Sequence, residues 1–247
     1  MWLILCSSSD PSGLWAYEGL RRLGVAPLEL ILAESLAYGS LWEHRLDSGG
    51  THLKIVLPDR RTLCSSRIRG AVNRLLAPAP GITERAAVSD KEYAQAELQA
   101  FYLSWIKGLP GVVINRPTPI GLCGSWYHPS EWAYRASHSG LPIAPYRHSA
   151  HDAPEKCYRP LVPQGATMLN VIVFRGEVFG AQLPEPTLSA CAKLADASET
   201  EMLGMGLYAD ENGEWTFANA TPCPDLSVGG VPLLQRLAKA LTQGEPA

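Results

Sequence analysis

No apolar run in this sequence approaches the length needed to cross a bilayer. The run at its start, WLILC at residues 2–6, is also too short for a secretory signal and follows no basic segment. Charge is scarce. Only 18% of residues are charged and the net charge is −3, which excludes a global pull toward nucleic acid or an anionic membrane. The six cysteines are scattered with no short-spaced pair, so neither a zinc signature nor a disulfide framework is written in them. Also missing is the three-glycine dinucleotide fingerprint, because the loop after the first apolar run reads SSSDPSG. These absences predict a cytoplasmic protein with free thiols, binding neither nucleic acid nor membrane.

What is present is a chain of 247 residues, 46% of them hydrophobic, enough to bury the core of one large or two small domains. WLILC reads as a buried strand. A helix follows, carrying Trp15, Leu20 and Leu23 and stopped by Gly24. APLELILA and HLKIVLP suggest two more strands, and RIRGAVNRLLAP a short one ending at Asn73-Arg74. The clearest helix spans 89–108. Ser89 and Glu92 stand at capping-box spacing, and Ala94, Leu98, Phe101 and Trp105 recur at helical steps. GVVIN at 111–115 reads as a buried strand, and a short helix at 130–139 is bracketed by Pro129 and Gly140. Strands alternating with helices this far predict a parallel, doubly wound sheet.

From about residue 158 the pattern changes. YRPLVP, MLNVIVFRGEVFGAQL and MLGMGLYADENGEWTFAN are strand-rich, with hairpin turns at Arg175-Gly176 and Asn212-Gly213. TLSACAKLADA forms a helix between them, and PLLQRLAKAL closes the chain.

Residues 203–225, LGMGLYADENGEWTFANATPCPD, resemble the closing hairpin of the ATP-grasp ligases: a Gly-x-Asp strand, an Asp-Gly turn, and a strand ending Glu-x-Asn-Pro-x-Pro-Gly. Gly204, Gly213, Trp215, Pro222 and Pro224 match that pattern. Asn115-Arg116-Pro117, the segment GLPIAP at 140–145 and the strand pair NVIVFRGEVFGAQL resemble the branch of ribosomal-protein glutamate ligases and microviridin-type peptide ligases. The resemblance implies an α/β fold, with a Rossmann-like N-terminal parallel sheet at 1–117 and an ATP-grasp-like α+β domain of antiparallel hairpins at 118–247.

It also implies losses. The family's magnesium-holding Asp, Glu and Asn fall on Gly206, Asn219 and Thr221. Its Lys before the short helix falls on Pro129, and the Arg of its later strand on Asn170. Only YRHSAHDAPEKC separates Pro145 from Tyr158, too little for the family's nucleotide-gripping subdomain. Magnesium needs hard, mostly charged oxygen ligands, and phosphoryl transfer needs that charge neutralised. The expectation is therefore a reduced pseudoenzyme with no cofactor, a binding or scaffold subunit for a peptide or protein partner or for an active partner enzyme. As such it would be a homo-oligomer or a heteromer. The alternative is an atypical ATP-dependent carboxylate–amine ligase, using Mg-ATP at a site that a partner chain completes.

Three further groups carry candidate chemistry. Arg74, Asn115 and Arg116 lie just past predicted strand ends, where open parallel sheets bind ligands and arginine suits a carboxylate or phosphate. Surface ion pairing explains the arginines equally well. His148, His151 and Cys157 are metal-ligand types in one segment, with the spacing of no strong zinc motif; a solvated loop is the competing reading. Trp126, Tyr127, His128 and Trp132 suggest either an aromatic pocket or ordinary core packing.

Overall fold

The computed structural model describes residues 1–48, 50–79, 83, 87–145, 162–163, 165–210 and 213–243. They form two units, Met1–Cys123 with the chain from Leu234 onward, and Gly124–Leu233.

In the first unit β1 (Trp2–Cys6) is buried along its whole length, because elements cover both faces of a parallel sheet. Helix α1 (Pro11–Arg22) follows, with Pro11 in its first turn and the Asp10 carboxylate accepting from the Gly13 amide at 3.0 Å. The chain then leaves α1 through Gly24 at φ +81°, the left-handed stop that the sequence predicts. β2 (Leu28–Leu32), β6 (Gly70–Asn73) and β7 (Val112–Ile114) complete the parallel sheet in the order β2-β1-β6-β7. Strands are thus added on either side of β1, as the doubly wound reading requires.

Between β2 and β6 the chain forms α2 (Ala33–Ala37) and a separate antiparallel sheet of β3 (Leu41–Asp47), β4 (Gly50–Val56) and β5 (Thr62–Cys64). The sequence reading found β4 but neither partner. LWEHRLD shows no clean alternation, and its burial confirms why: no residue of β3 is fully buried.

The predicted helix at 89–108 is α3 (Lys91–Lys107), but its capping box does not form. A 3-10 turn at Val88–Asp90 leads into it, and the Ser89 hydroxyl donates to Asp90 Oδ1 at 2.9 Å instead of capping the helix. Its buried face, with Tyr102, Trp105 and Ile106, shares one core with Leu3, Leu5, Ile31 and Ile55. The last helix, α6 (Gly230–Gln243), meets α1 at Gly19, where a Cβ would stand 2.4 Å from Leu234 Cδ1. Glycine permits that approach.

The second unit is an antiparallel sheet of β8 (Met168–Phe174), β9 (Glu177–Phe179), β10 (Met202–Ala209) and β11 (Trp215–Thr221), in the order β11-β10-β8-β9. The β8–β9 turn has Arg175 at φ 49° and Gly176 at φ 77°, the twin positive angles of a tight hairpin. Helices α4 (Pro129–His138) and α5 (Glu185–Ala197) pack on one face, where Trp132, Cys191 and Leu194 meet Val171, Leu203 and Met205. Burial raises the Cys191 thiol to about 11, which makes it an inert core group. The strand expected from Tyr158 begins outside the described residues, and the first described strand after Pro145 is β8.

Candidate functional site

The second unit leaves the sheet face opposite α4 and α5 to carry its polar residues. Register places Asn170 of β8, Gly206 of β10 and Asn219 of β11 side by side across three strands, with Gly204 beside Thr221 two pairs along. Strand spacing puts the two asparagine Cα atoms about 10 Å apart over a glycine floor. A bulge adjoins this row: pairing shifts from Gly206↔Asn219 to Leu207↔Phe217, leaving Ala218 as the extra residue. The shift turns Phe217 into the helix-side core while Ala218 packs with Tyr208 and Ala144. The GLPIAP segment runs beside the same point, with the Phe217 amide donating to the Pro142 carbonyl at 2.7 Å.

Two glycines here differ in what lies over them. A Cβ on Gly204 would stand 2.5 Å from Pro224 Cβ, so the glycine and the proline of the resemblance pattern are one packing unit. A Cβ on Gly206 would stand 2.9 Å from both polar atoms of the Asn219 carboxamide and 2.9 Å from Met168 Cε. These are the far ends of two flexible side chains, which would have to move aside for a side chain to start at Gly206. This face forms a cavity of about 210 Å³, walled by Pro224 and Val228 and reached by Asn170, Asn219, Thr221 and Asp225.

At the carboxyl ends of the parallel strands in the first unit, the sequence-predicted arginines have partners of their own. The Arg74 side chain is 3% exposed and grips Asp10 through two bonds, Nε to Oδ2 at 2.7 Å and Nη2 to Oδ1 at 3.0 Å. Burial by itself raises the Asp10 carboxyl. The Arg74 hydrogen bonds and charge, with the Gly13 and Ser12 amides, outweigh that and hold it below its ordinary value. Arg116 donates to the carbonyls of Lys107 at 2.9 Å, Leu109 at 3.2 Å and Gly111 at 2.6 Å, closing the end of α3. Asn115 is buried in a left-handed turn at φ 55°, its carbonyl accepting from Asn73 Nδ2 at 2.9 Å. Nearby the SSS loop clasps a carboxylate: Glu34 accepts from the Ser7 and Ser8 hydroxyls, each at 2.9 Å, and from the Ser8 amide at 3.0 Å.

No known family's sequence model matches this chain, and neither does any curated protein sequence. Solved structures do. The macrocyclase MdnC of Microcystis aeruginosa MRC, bound with precursor peptide MdnA, superposes at a TM-score of 0.70 with 11% identity, over 98% of this chain and 99% of that one. A RiPP-associated ATP-grasp ligase of Chryseobacterium gregarium, in complex with ADP and a leader and core peptide, gives 0.70 with 9% identity, over 99% and 97%. The ATP-grasp ligase PsnB, with minimal precursor, Mg and ADP, gives 0.65 with 14% identity, over 98% and 96%. The fold is that of the ATP-grasp ligases. At these identities the likeness concerns the fold.

An ATP-grasp fold implies magnesium and nucleotide, and the residues on this face do not fit them. Asn170, Asn219 and Thr221 are neutral. Asp225 is the one acid among the cavity residues, and its Oδ1 already accepts from the Ser227 amide at 3.0 Å and hydroxyl at 2.8 Å. Among the described residues no group of three His, Cys, Asp or Glu is placed to hold a metal. Asp210 is spent on the hairpin, accepting from the Glu214 amide at 2.8 Å.

His148, His151 and Cys157 lie outside the described residues. The aromatic group separates: Trp132 is buried against Tyr127 with rings 4.9 Å apart, while Trp126 is exposed. Sequence reasoning missed Asp225, whose only signal was a carboxylate directly after the Pro-Cys-Pro step, and Glu34, which no local pattern ties to the serine loop.

Proposed function

We propose that this chain is a binding or scaffold protein built on the ATP-grasp fold, one that holds a peptide or protein partner instead of activating a carboxylate with Mg-ATP. The observation that carries this reading is the Asn170–Gly206–Asn219 row. A carboxamide and a methyl group cover Gly206, and no second carboxylate joins Asp225. Magnesium binding without such ligands leaves the cost of dehydrating the ion unmet. That MdnC, PsnB and the Chryseobacterium ligase were solved with peptides supports a peptide as the partner class. In this reading residues 1–117 are the Rossmann-like domain and 118–247 a reduced ATP-grasp-like domain without the nucleotide-gripping subdomain. The protein works in the cytoplasm, as an oligomer or in a heteromer.

The test is a melting curve with millimolar Mg-ATP, with and without co-purifying partners identified by mass spectrometry. A ligand at a hundred times its Kd stabilises the native state by about 2.7 kcal/mol. No rise in Tm is expected. A rise of several degrees favours the second reading, a ligase whose nucleotide site a partner chain completes. That reading draws its support from the retained Gly204, Trp215 and Pro224 and from the ADP-bound ligases of the same fold.

A further inference from the structure

The face around Gly206 has exchanged one electrostatic character for another. A nucleotide site needs cations for phosphates and several carboxylates for magnesium. None of the residues lining this cavity is basic, and one, Asp225, is acidic. Asp225 Oδ2 and the side-chain amides of Asn170 and Asn219 have no hydrogen-bond partner among the described residues. Each carboxamide keeps a free carbonyl oxygen, and the Thr221 Oγ1, which accepts from the Cys223 amide at 3.2 Å, adds a fourth oxygen. Ile172, Pro224 and Val228 supply the apolar lining of the same cavity.

An anion entering here meets Asp225 with no cation to offset it, and the one acid leaves a divalent metal short of ligands. A single positive charge on an apolar stem meets both needs. Its head finds a carboxylate and neutral oxygens in place of water, and its methylenes cover Ile172, Pro224 and Val228. The cavity, about 210 Å³, has room for one long side chain.

We propose that this cavity is a subsite for a basic side chain, arginine or lysine, of a bound peptide, with Asp225 as its counter-ion and Asn170 and Asn219 as flanking acceptors. The inference deepens the peptide-binding reading and rests on it.

The experiment titrates the full chain with Nα-acetyl-arginine methylamide and, separately, Nα-acetyl-lysine methylamide. The side-chain amide resonances of Asn170 and Asn219 are followed, assigned through Asn170→Ala and Asn219→Ala. Either cation alone should move both resonances, with a Kd on the order of 1 mM for so small a ligand. The neutral glutamine analogue should move neither. Asp225→Asn keeps the oxygen that Ser227 uses, so it should fold and weaken the cation about tenfold; Asn219→Asp, adding a carboxylate, should tighten it several-fold. Comparing the two cations tells guanidinium from ammonium.

Resonances that stay still, or a Kd unchanged in Asp225→Asn, overturn the subsite while leaving the peptide-scaffold reading standing. Mg-ATP moving the same two resonances overturns both. Mg-ATP silence with cation binding supports both.

Discussion

Two polar regions of this molecule face opposite fates. At the carboxyl ends of β1 and β6, Arg74 locks onto Asp10 and Glu34 is clasped by Ser7 and Ser8. On the open face of β8, β10 and β11, the Asn170, Asn219 and Asp225 side chains retain polar atoms with no partner among the described residues. The first region has the residue types that suggest a ligand site, and the chain itself supplies the carboxylates that would have been the ligand. The second has one acid and no cation among its lining residues, and it keeps polar atoms unpaired among the described residues. A site is better judged by what its groups lack than by how reactive they are.

The comparison breaks most visibly at Arg74. Arg74→Ala leaves the half-buried Asp10 carboxylate without its counter-ion and should cost about 3–5 kcal/mol, read from the urea midpoint. If it costs under 1 kcal/mol, the pair is not structural and the crevice regains its claim to a ligand. The same pair sets an acid sensitivity. The folded Asp10 carboxyl lies below its unfolded value, so its contribution is full above the ordinary aspartate range, at about pH 4, and is lost as pH falls through the depressed folded value. Asp10→Asn should lower Tm at neutral pH and flatten its fall between about pH 5 and 2.

Next in size is Gly206→Asp. It places a Cβ against the movable ends of the Asn219 and Met168 side chains and should cost about 1–2 kcal/mol without creating magnesium-dependent stabilisation. A stable variant whose Tm rises with Mg²⁺ would show that the metal site survives in latent form. Arg116→Ala removes bonds to three carbonyls at the end of α3, and a loss of about 1–2 kcal/mol is expected in thermal unfolding. The smallest effect sharpens the contrast from the other side. Asn219→Ala, at an exposed side chain without protein partners among the described residues, should change stability by no more than about 0.5 kcal/mol.

Much of the fold was legible because its signals are local. Pro129 and Gly140 bracket α4, and Arg175-Gly176 turns β8 into β9; in each case a fixed or positive φ settles the geometry within four residues. Local reasoning failed where the decisive contact or burial was not in the local pattern. Ser89 stands at capping-box spacing from Glu92, but the 3-10 turn at Val88–Asp90 moves the helix start past it. β3 was missed because a strand that no residue buries fully has no reason to alternate. The polar row was legible in part: the sequence showed which residue types stand at 206, 219 and 221, but not that Asn219 covers Gly206.

By itself the sequence determined the kinds of element, their order and the β8–β9 hairpin turn, since these depend on residue type and neighbours along the chain. Only the tertiary structure decided partners. Arg74 meets a carboxylate 64 positions away, the Ser8 amide one 26 positions away, and Asn170 shares a row with Asn219 because β10 lies between their strands. Charge and hydrogen-bonding capacity are written in each residue. Whether they are spent within the chain or left for a ligand depends on the topology that brings distant groups within 3 Å or keeps them apart.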